Sequence, residues 1–219
     1  ENIYFLSIYL LTGMLTVMII FNSFIWYSTR DKVIGYHLLY MIAAMGMIAN
    51  KLIAISRGQY YESFSRDSWS DNLISTLLAI PYTLFCYEGF NVRNGTRLLR
   101  YSWYQIFILN SFHLVVVIIV GIAGVKDYQK THAGGILLMI IFAATLFLIF
   151  NALVIKNKSR FQKFLISGVI FFTAMLLFAA LQENYYKSPI INGRSGFFLA
   201  IAGEMLFFAL ASAQRIKDI

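Results

Sequence analysis

Two charged side chains stand inside apolar stretches of this 219-residue chain, and any buried chemistry has to begin with them. Lys51 lies about 8 Å from the end of the second apolar stretch, counting about 1.5 Å per helical residue. Glu204 lies about 14 Å into the last stretch on the same count. Glu183, at the end of the sixth stretch, is also within reach of a lysine side chain. A charged residue at the centre of a membrane helix costs about 2.5–3.5 kcal/mol on insertion scales, so it normally faces a partner or water. Three readings stay open. Lys51 with Glu204 or Glu183 forms a buried charged cluster that serves as a ligand site or a movable switch. Alternatively, Lys51 snorkels to the headgroups, and Glu204 is satisfied by hydroxyl groups or protonated. Or the pair only pins helix register, because lipid gives apolar faces little reason to choose one packing.

His113 has Asn110 one turn earlier on the same helix face, which makes a short polar stripe. An interhelical hydrogen-bond contact is the plainer reading of that stripe and a proton relay the sharper one. Enzyme signatures are missing. His37, His113 and His132 are isolated, with no second ligand one turn away to hold a metal. There is no Gly-x-Ser-x-Gly elbow, and Gly193-Arg194-Ser195-Gly196 lacks the lysine of a phosphate loop. The last stretch has no interior lysine to carry a retinal. The single cysteine, Cys86, allows neither an internal disulfide nor a cysteine zinc site. The expectation is a protein without catalytic activity, metal or cofactor.

The elements that must position these residues are long. The chain is 59% hydrophobic and 13% charged, with a mean hydropathy of +0.70, whereas soluble domains carry about 25% charged residues. A soluble globule and a disordered tail are therefore excluded. A spanning helix needs about 20 apolar residues, and seven stretches qualify: 3–27, 33–56, 71–90, 102–125, 132–155, 161–182 and 195–214. They are continuously apolar rather than alternating, and they are too long for barrel strands. Backbone groups in lipid must be satisfied within the segment. The fold class expected is an all-α membrane protein, a single bundle of seven transmembrane helices over residues 1–219, with Pro81 kinking the third.

Loop charges orient the bundle. With the N-terminus outside, the inner segments carry eleven basic residues: Arg30, Lys32, Arg93, Arg97, Arg100, Lys156, Lys158, Arg160, Lys163, Arg215 and Lys217. The outer segments carry six: Arg57, Arg66, Lys126, Lys130, Lys187 and Arg194. The excess predicts the N-terminus outside and the C-terminus in the cytoplasm. The formal net charge of +8 then reads as an inner face held at anionic lipid heads, with no nucleic acid bound by this segment. Trp26, Tyr27, Tyr36, Tyr101, Trp103 and Tyr104 fall at inner ends, where amphipathic rings sit among headgroups. His37 and Glu88 are expected there too, solvated by headgroups. Ala43, Ala44, Gly46, Gly121, Gly124, Ala209 and Ala213 are small enough for close helix approach. The chain opens on Glu1, which points to a processed or excised piece.

Two stretches carry a resemblance. Phe21-Asn22-Ser23-Phe24-Ile25-Trp26-Tyr27-Ser28-Thr29-Arg30-Asp31-Lys32 leads through Gly35-Tyr36 into the second helix. Gly203-Glu204-Met205-Leu206-Phe207-Phe208-Ala209-Leu210-Ala211-Ser212-Ala213-Gln214-Arg215-Ile216-Lys217 closes the last. Both are similar to the bacterial seven-transmembrane receptors with diverse intracellular signalling modules. The resemblance implies a sensor core in the inner (plasma) membrane. An extracellular sensor domain and a cytoplasmic signalling module would be its partners, fused or separate, with a homodimer as a further possibility. It also implies that Glu204 is a structural or switching residue and that the seventh helix is the output rod. The rivals are a small transporter or channel and a scaffold subunit of a larger membrane complex. A transporter built from two repeats would carry paired broken helices, and Pro81 has no counterpart in the other half.

Overall fold

The computed structural model describes residues 2–56, 69–124, 132–155, 158–181 and 193–218. Seven α-helices follow one another: α1 (Asn2–Thr29), α2 (Lys32–Ser56), α3 (Trp69–Gly89), α4 (Arg97–Ile122), α5 (His132–Leu153), α6 (Arg160–Leu181) and α7 (Gly193–Asp218). A 3-10 turn, Val92–Asn94, joins α3 to α4. No strand occurs among the described residues.

Among the described residues, three helical segments are long and apolar enough to cross a membrane: Ile8–Thr29, Lys32–Asn50 and Arg97–Ile122. Polar residues are buried beside apolar ones, and many large apolar residues are exposed. On α4, Asn110 and His113 are buried while Ile108, Phe112 and Ile119 are exposed. Apolar side chains lose nothing by facing lipid, whereas polar ones need partners there. Hydroxyl groups follow the same logic. Thr12, Ser23, Thr83, Thr145 and Thr173 each donate to the carbonyl four residues back, the local bond that satisfies serine and threonine within a helix.

Each of the three short connections is built by a cap. Between α1 and α2, Arg30 takes the left-handed conformation at φ 53°, which is unusual outside glycine. Its guanidinium lies over the Trp26 and Tyr27 rings at 5.2 and 5.0 Å, a cation–π contact that holds the turn. The Asp31 carboxylate then accepts from Val33 N–H at 2.8 Å and Ile34 N–H at 3.3 Å, capping α2. Four residues on, a methyl at Gly35 would lie 2.7 Å from Trp26 Nε1, so only glycine lets α2 pass the indole. Thr96 caps α4 through Leu99 N–H. Ser159 and Gln162 exchange bonds at 3.2 and 3.1 Å, a reciprocal capping box at the start of α6.

These caps move helix ends from where hydropathy puts them. α4 starts at Arg97, inside the segment expected to be an inner loop, because Thr96 caps it and the arginines extend it beyond the apolar stretch. α7 runs on past residue 214 to Asp218, since Gln, Arg and Lys are good helix formers once hydropathy ends.

The chain forms two compact units, residues 19–151 and residues 1–18 with 152–219. In the first, α3 packs against both α2 and α4. Tyr40, Met41, Ala44 and Ile48 make the buried stripe of α2. In the second, α6 and α7 pack antiparallel along much of their length.

Candidate functional site

The unit spanning residues 19–151 holds a polar seam between α3 and α4. The buried positions of α4 are Leu99, Ser102, Trp103, Ile106, Asn110, His113 and Val117, a spacing of three and four that presents one helix face. Thr76 and Thr83, seven residues apart on α3 and buried, answer this stripe. His113 Nδ1 lies 3.4 Å from Thr76 Oγ1. Asn110 Nδ2 donates to Thr83 Oγ1 at 3.5 Å. Trp103 Nε1 donates to the Thr83 carbonyl at 2.9 Å, so Thr83 meets α4 through both hydroxyl and backbone. Below it, Asn151 of α5 donates to Ser102 Oγ at 2.5 Å and ties α5 to α4.

Pro81 sits within α3 between the two threonines. It has no N–H, so the Leu77 carbonyl loses its usual donor and the helix is weakened at this level. The seam therefore spans a weak point of α3 from both sides. Its groups are hydroxyls, amides and one imidazole. These hydrogen bonds join α3 to α4. The stripe read from Asn110 and His113 is thus an interhelical contact here. Thr76, Thr83, Ser102 and Asn151 complete it. The available signal for them was the seven-residue threonine spacing and a lone asparagine in the apolar α5.

Two expectations are corrected in this unit. Trp103, placed by sequence at the headgroup level, is a core residue packed against Tyr87 and Phe107. His37 is not solvated by headgroups. It is fully buried and stacks on Phe85 at a ring distance of 5.1 Å. Both sit at helix ends where burial by a neighbouring helix outweighs proximity to the interface.

In the other unit, Glu204 is fully buried on α7 together with Ala200, Ile201, Met205, Phe208, Ala211 and Ser212. The α6–α7 seam is set by interlocking rings and glycines. A methyl at Gly168 would lie 2.8 Å from the Phe208 ring and 3.0 Å from Phe207 Cβ. A methyl at Gly203 would overlap the Phe171 ring. At one end Arg215 lies over Phe161 at 5.8 Å. These contacts fix one antiparallel register of α6 on α7. Gly46 and Gly124, expected to mediate close approach, face open space instead. The Lys51 side chain and Glu183 lie outside the described residues, so their pairing with Glu204 does too. Among the described residues no group of three or more His, Cys, Asp or Glu side chains is placed to hold a metal ion.

The model of the 7TM diverse intracellular signalling family matches residues 4–215. The chain belongs to that family. No curated protein and no solved structure matches it. The two stretches that suggested the 7TM diverse intracellular signalling family are those whose geometry is most specific here: the Arg30–Asp31 turn with its cation–π contact and cap, and α7 with its buried glutamate. Membership makes this a membrane domain of a signalling class. The match supplies no catalytic or ligand-binding residue, so its chemistry rests on the seams described above.

Proposed function

We propose that this domain is a transmembrane sensor core. It takes a signal from an extracellular or periplasmic domain and relays it to a cytoplasmic module, fused or separate. It crosses the inner membrane seven times with the N-terminus outside, as the excess of basic residues at the ends joined by the three capped connections supports. No catalysis is assigned to the chain itself. The observation that carries the reading is α7. It is one unbroken helix of 26 residues. It continues beyond its apolar part to Asp218 and is gripped by α6 from Gly203–Phe171 to Arg215–Phe161. A helix held in one register moves as a rod, so a change in the packing of α7 is delivered at its far end. A ligand biases such a two-packing equilibrium only by its differential affinity for the two states.

The test uses a kinase reporter joined in helical continuity after Ile219, with one to four alanines inserted at the junction. Each residue turns the following helix by about 100° at 3.6 residues per turn. Output should rise and fall with insertion length and return close to its starting level at four residues. Output indifferent to the insertions would sink the relay through α7. A compartment-specific reporter at each end checks orientation independently. Both ends reporting the same side would end the receptor reading and favour the transporter, channel or scaffold alternatives.

A further inference from the structure

The exposed face of α4 carries three chemistries in axial order. Arg97 and Arg100 come first, then Tyr101 and Tyr104, then Ile108 and Phe112. The spacing of three and four places all six on one side of the helix, and all six are exposed. Among the described residues nothing pairs with the two guanidiniums, in contrast to Arg30 on its indole and Arg215 on Phe161. They also stand at the wrong end of the helix. The N-terminus of α4 carries the positive end of the helix dipole, which favours acids, yet its first turn has no acidic residue. Two cations placed against that field and left unpaired by the protein are open to a counter-charge from outside.

The axial distances say what brings it. From Arg100 to Tyr104 is about 6 Å, and from Arg100 to Ile108 about 12 Å, at about 1.5 Å per residue. One leaflet of hydrocarbon is about 15 Å deep, half of about 30 Å. Phosphate, glycerol–ester and acyl chain follow one another at these depths. We infer that this face of α4 is a seat for an anionic phospholipid of the leaflet that the α3–α4 connection faces. The phosphate lies at Arg97 and Arg100, the ester region at the two tyrosine hydroxyls, and one acyl chain runs along Ile108 and Phe112. The inference stands on the membrane character of the domain and is independent of the receptor reading and of which side the N-terminus occupies.

The test places a tryptophan in the acyl part of the seat, Ile108→Trp, in the 219-residue chain reconstituted into phosphatidylcholine vesicles. Tail-brominated phosphatidylglycerol or tail-brominated phosphatidylcholine is then titrated in, and the quenching of the parent chain is subtracted. The brominated anionic lipid should quench at lower mole fraction, by about fivefold per arginine. R97Q/R100Q should remove the preference and R97K/R100K should keep most of it. Should R97Q/R100Q fail to fold, raising salt on the folded protein gives the same answer, because the preference should shrink as phosphate attraction is screened. Equal quenching by both lipids overturns the seat. So does quenching by neither lipid with a doubled particle mass, which would mean that a second copy of the chain covers this face.

Discussion

The two units hold their helices by different means. Between α3 and α4, Thr83 accepts from Trp103 and Asn110, and Thr76 lies beside His113. Between α6 and α7, Gly168 receives Phe208 and Gly203 receives Phe171. Lipid is as apolar as leucine, so neither seam gains from burying hydrocarbon. What remains is directional bonding or shape. A hydrogen bond tolerates small shifts, and several bonds spread along a seam allow it to slip and re-form around Pro81. A fully buried ring such as Phe208, resting in the hollow above a glycine, has little freedom to move. The contrast assigns adaptability to the α3–α4 seam and fixed register to α7, which is the division a relay with a rigid output needs.

The largest expected effect comes from filling a hollow. Gly168→Ala sets a methyl against Phe207 Cβ, which is fixed to the backbone of α7, and against the fully buried Phe208 ring. The helices must separate, at a cost of about 1–3 kcal/mol for overpacking. Gly203→Ala should cost less, because it meets the ring of Phe171, which is only partly buried and can turn aside. The measurement is unfolding in mixed micelles titrated with dodecyl sulfate, followed by far-ultraviolet circular dichroism. Equal and negligible effects at both glycines would show that shape does not hold the α6–α7 seam. Gly46→Ala is the internal contrast: with open space around it, it should be neutral or slightly stabilising through helix propensity.

A smaller effect is expected at the α1–α2 turn. Asp31→Ala removes the acceptor for Val33 and Ile34 N–H, at a cost of about 1 kcal/mol. Asp31→Asn should recover most of it, since the amide oxygen still caps. If asparagine is no better than alanine in the same titration, the carboxylate acts through its charge rather than as a cap.

How far the sequence shows all this depends on which physical signal each feature leaves. Seven helices were legible because lipid demands long apolar stretches, and the Asn110–His113 stripe was legible because polar residues stand out within them. Helix ends were less so. Arg97 to Tyr101 read as a loop by hydropathy, yet a single Thr96 hydroxyl makes them helical. Trp103 and His37 have side chains that suit an interface, and only the neighbouring α3 decides that they are buried. The α6–α7 interlock was the least legible. Gly168 and Gly203 are indistinguishable in sequence from Gly46 and Gly124, because a hollow is defined by the ring that enters it from another helix.

The smallest expected effect tests the other half of the contrast. Trp103→Phe removes the bond from Nε1 to the Thr83 carbonyl but keeps an aromatic ring between Tyr87 and Phe107. Interhelical hydrogen bonds in membranes average about 0.6 kcal/mol, and the Thr83 hydroxyl still bonds Asn110. The variant should lose about that amount for the bond, with a further packing cost because phenyl is smaller than indole. With Thr83→Val as well, which removes the Asn110 bond, the combined loss should approach the sum of two such bonds. An adaptable seam re-forms around each loss, so the two changes add with little coupling. Strong coupling between Trp103 and Thr83 would mean that Thr83 is a rigid pin, and the two seams would then hold their helices with the same stiffness.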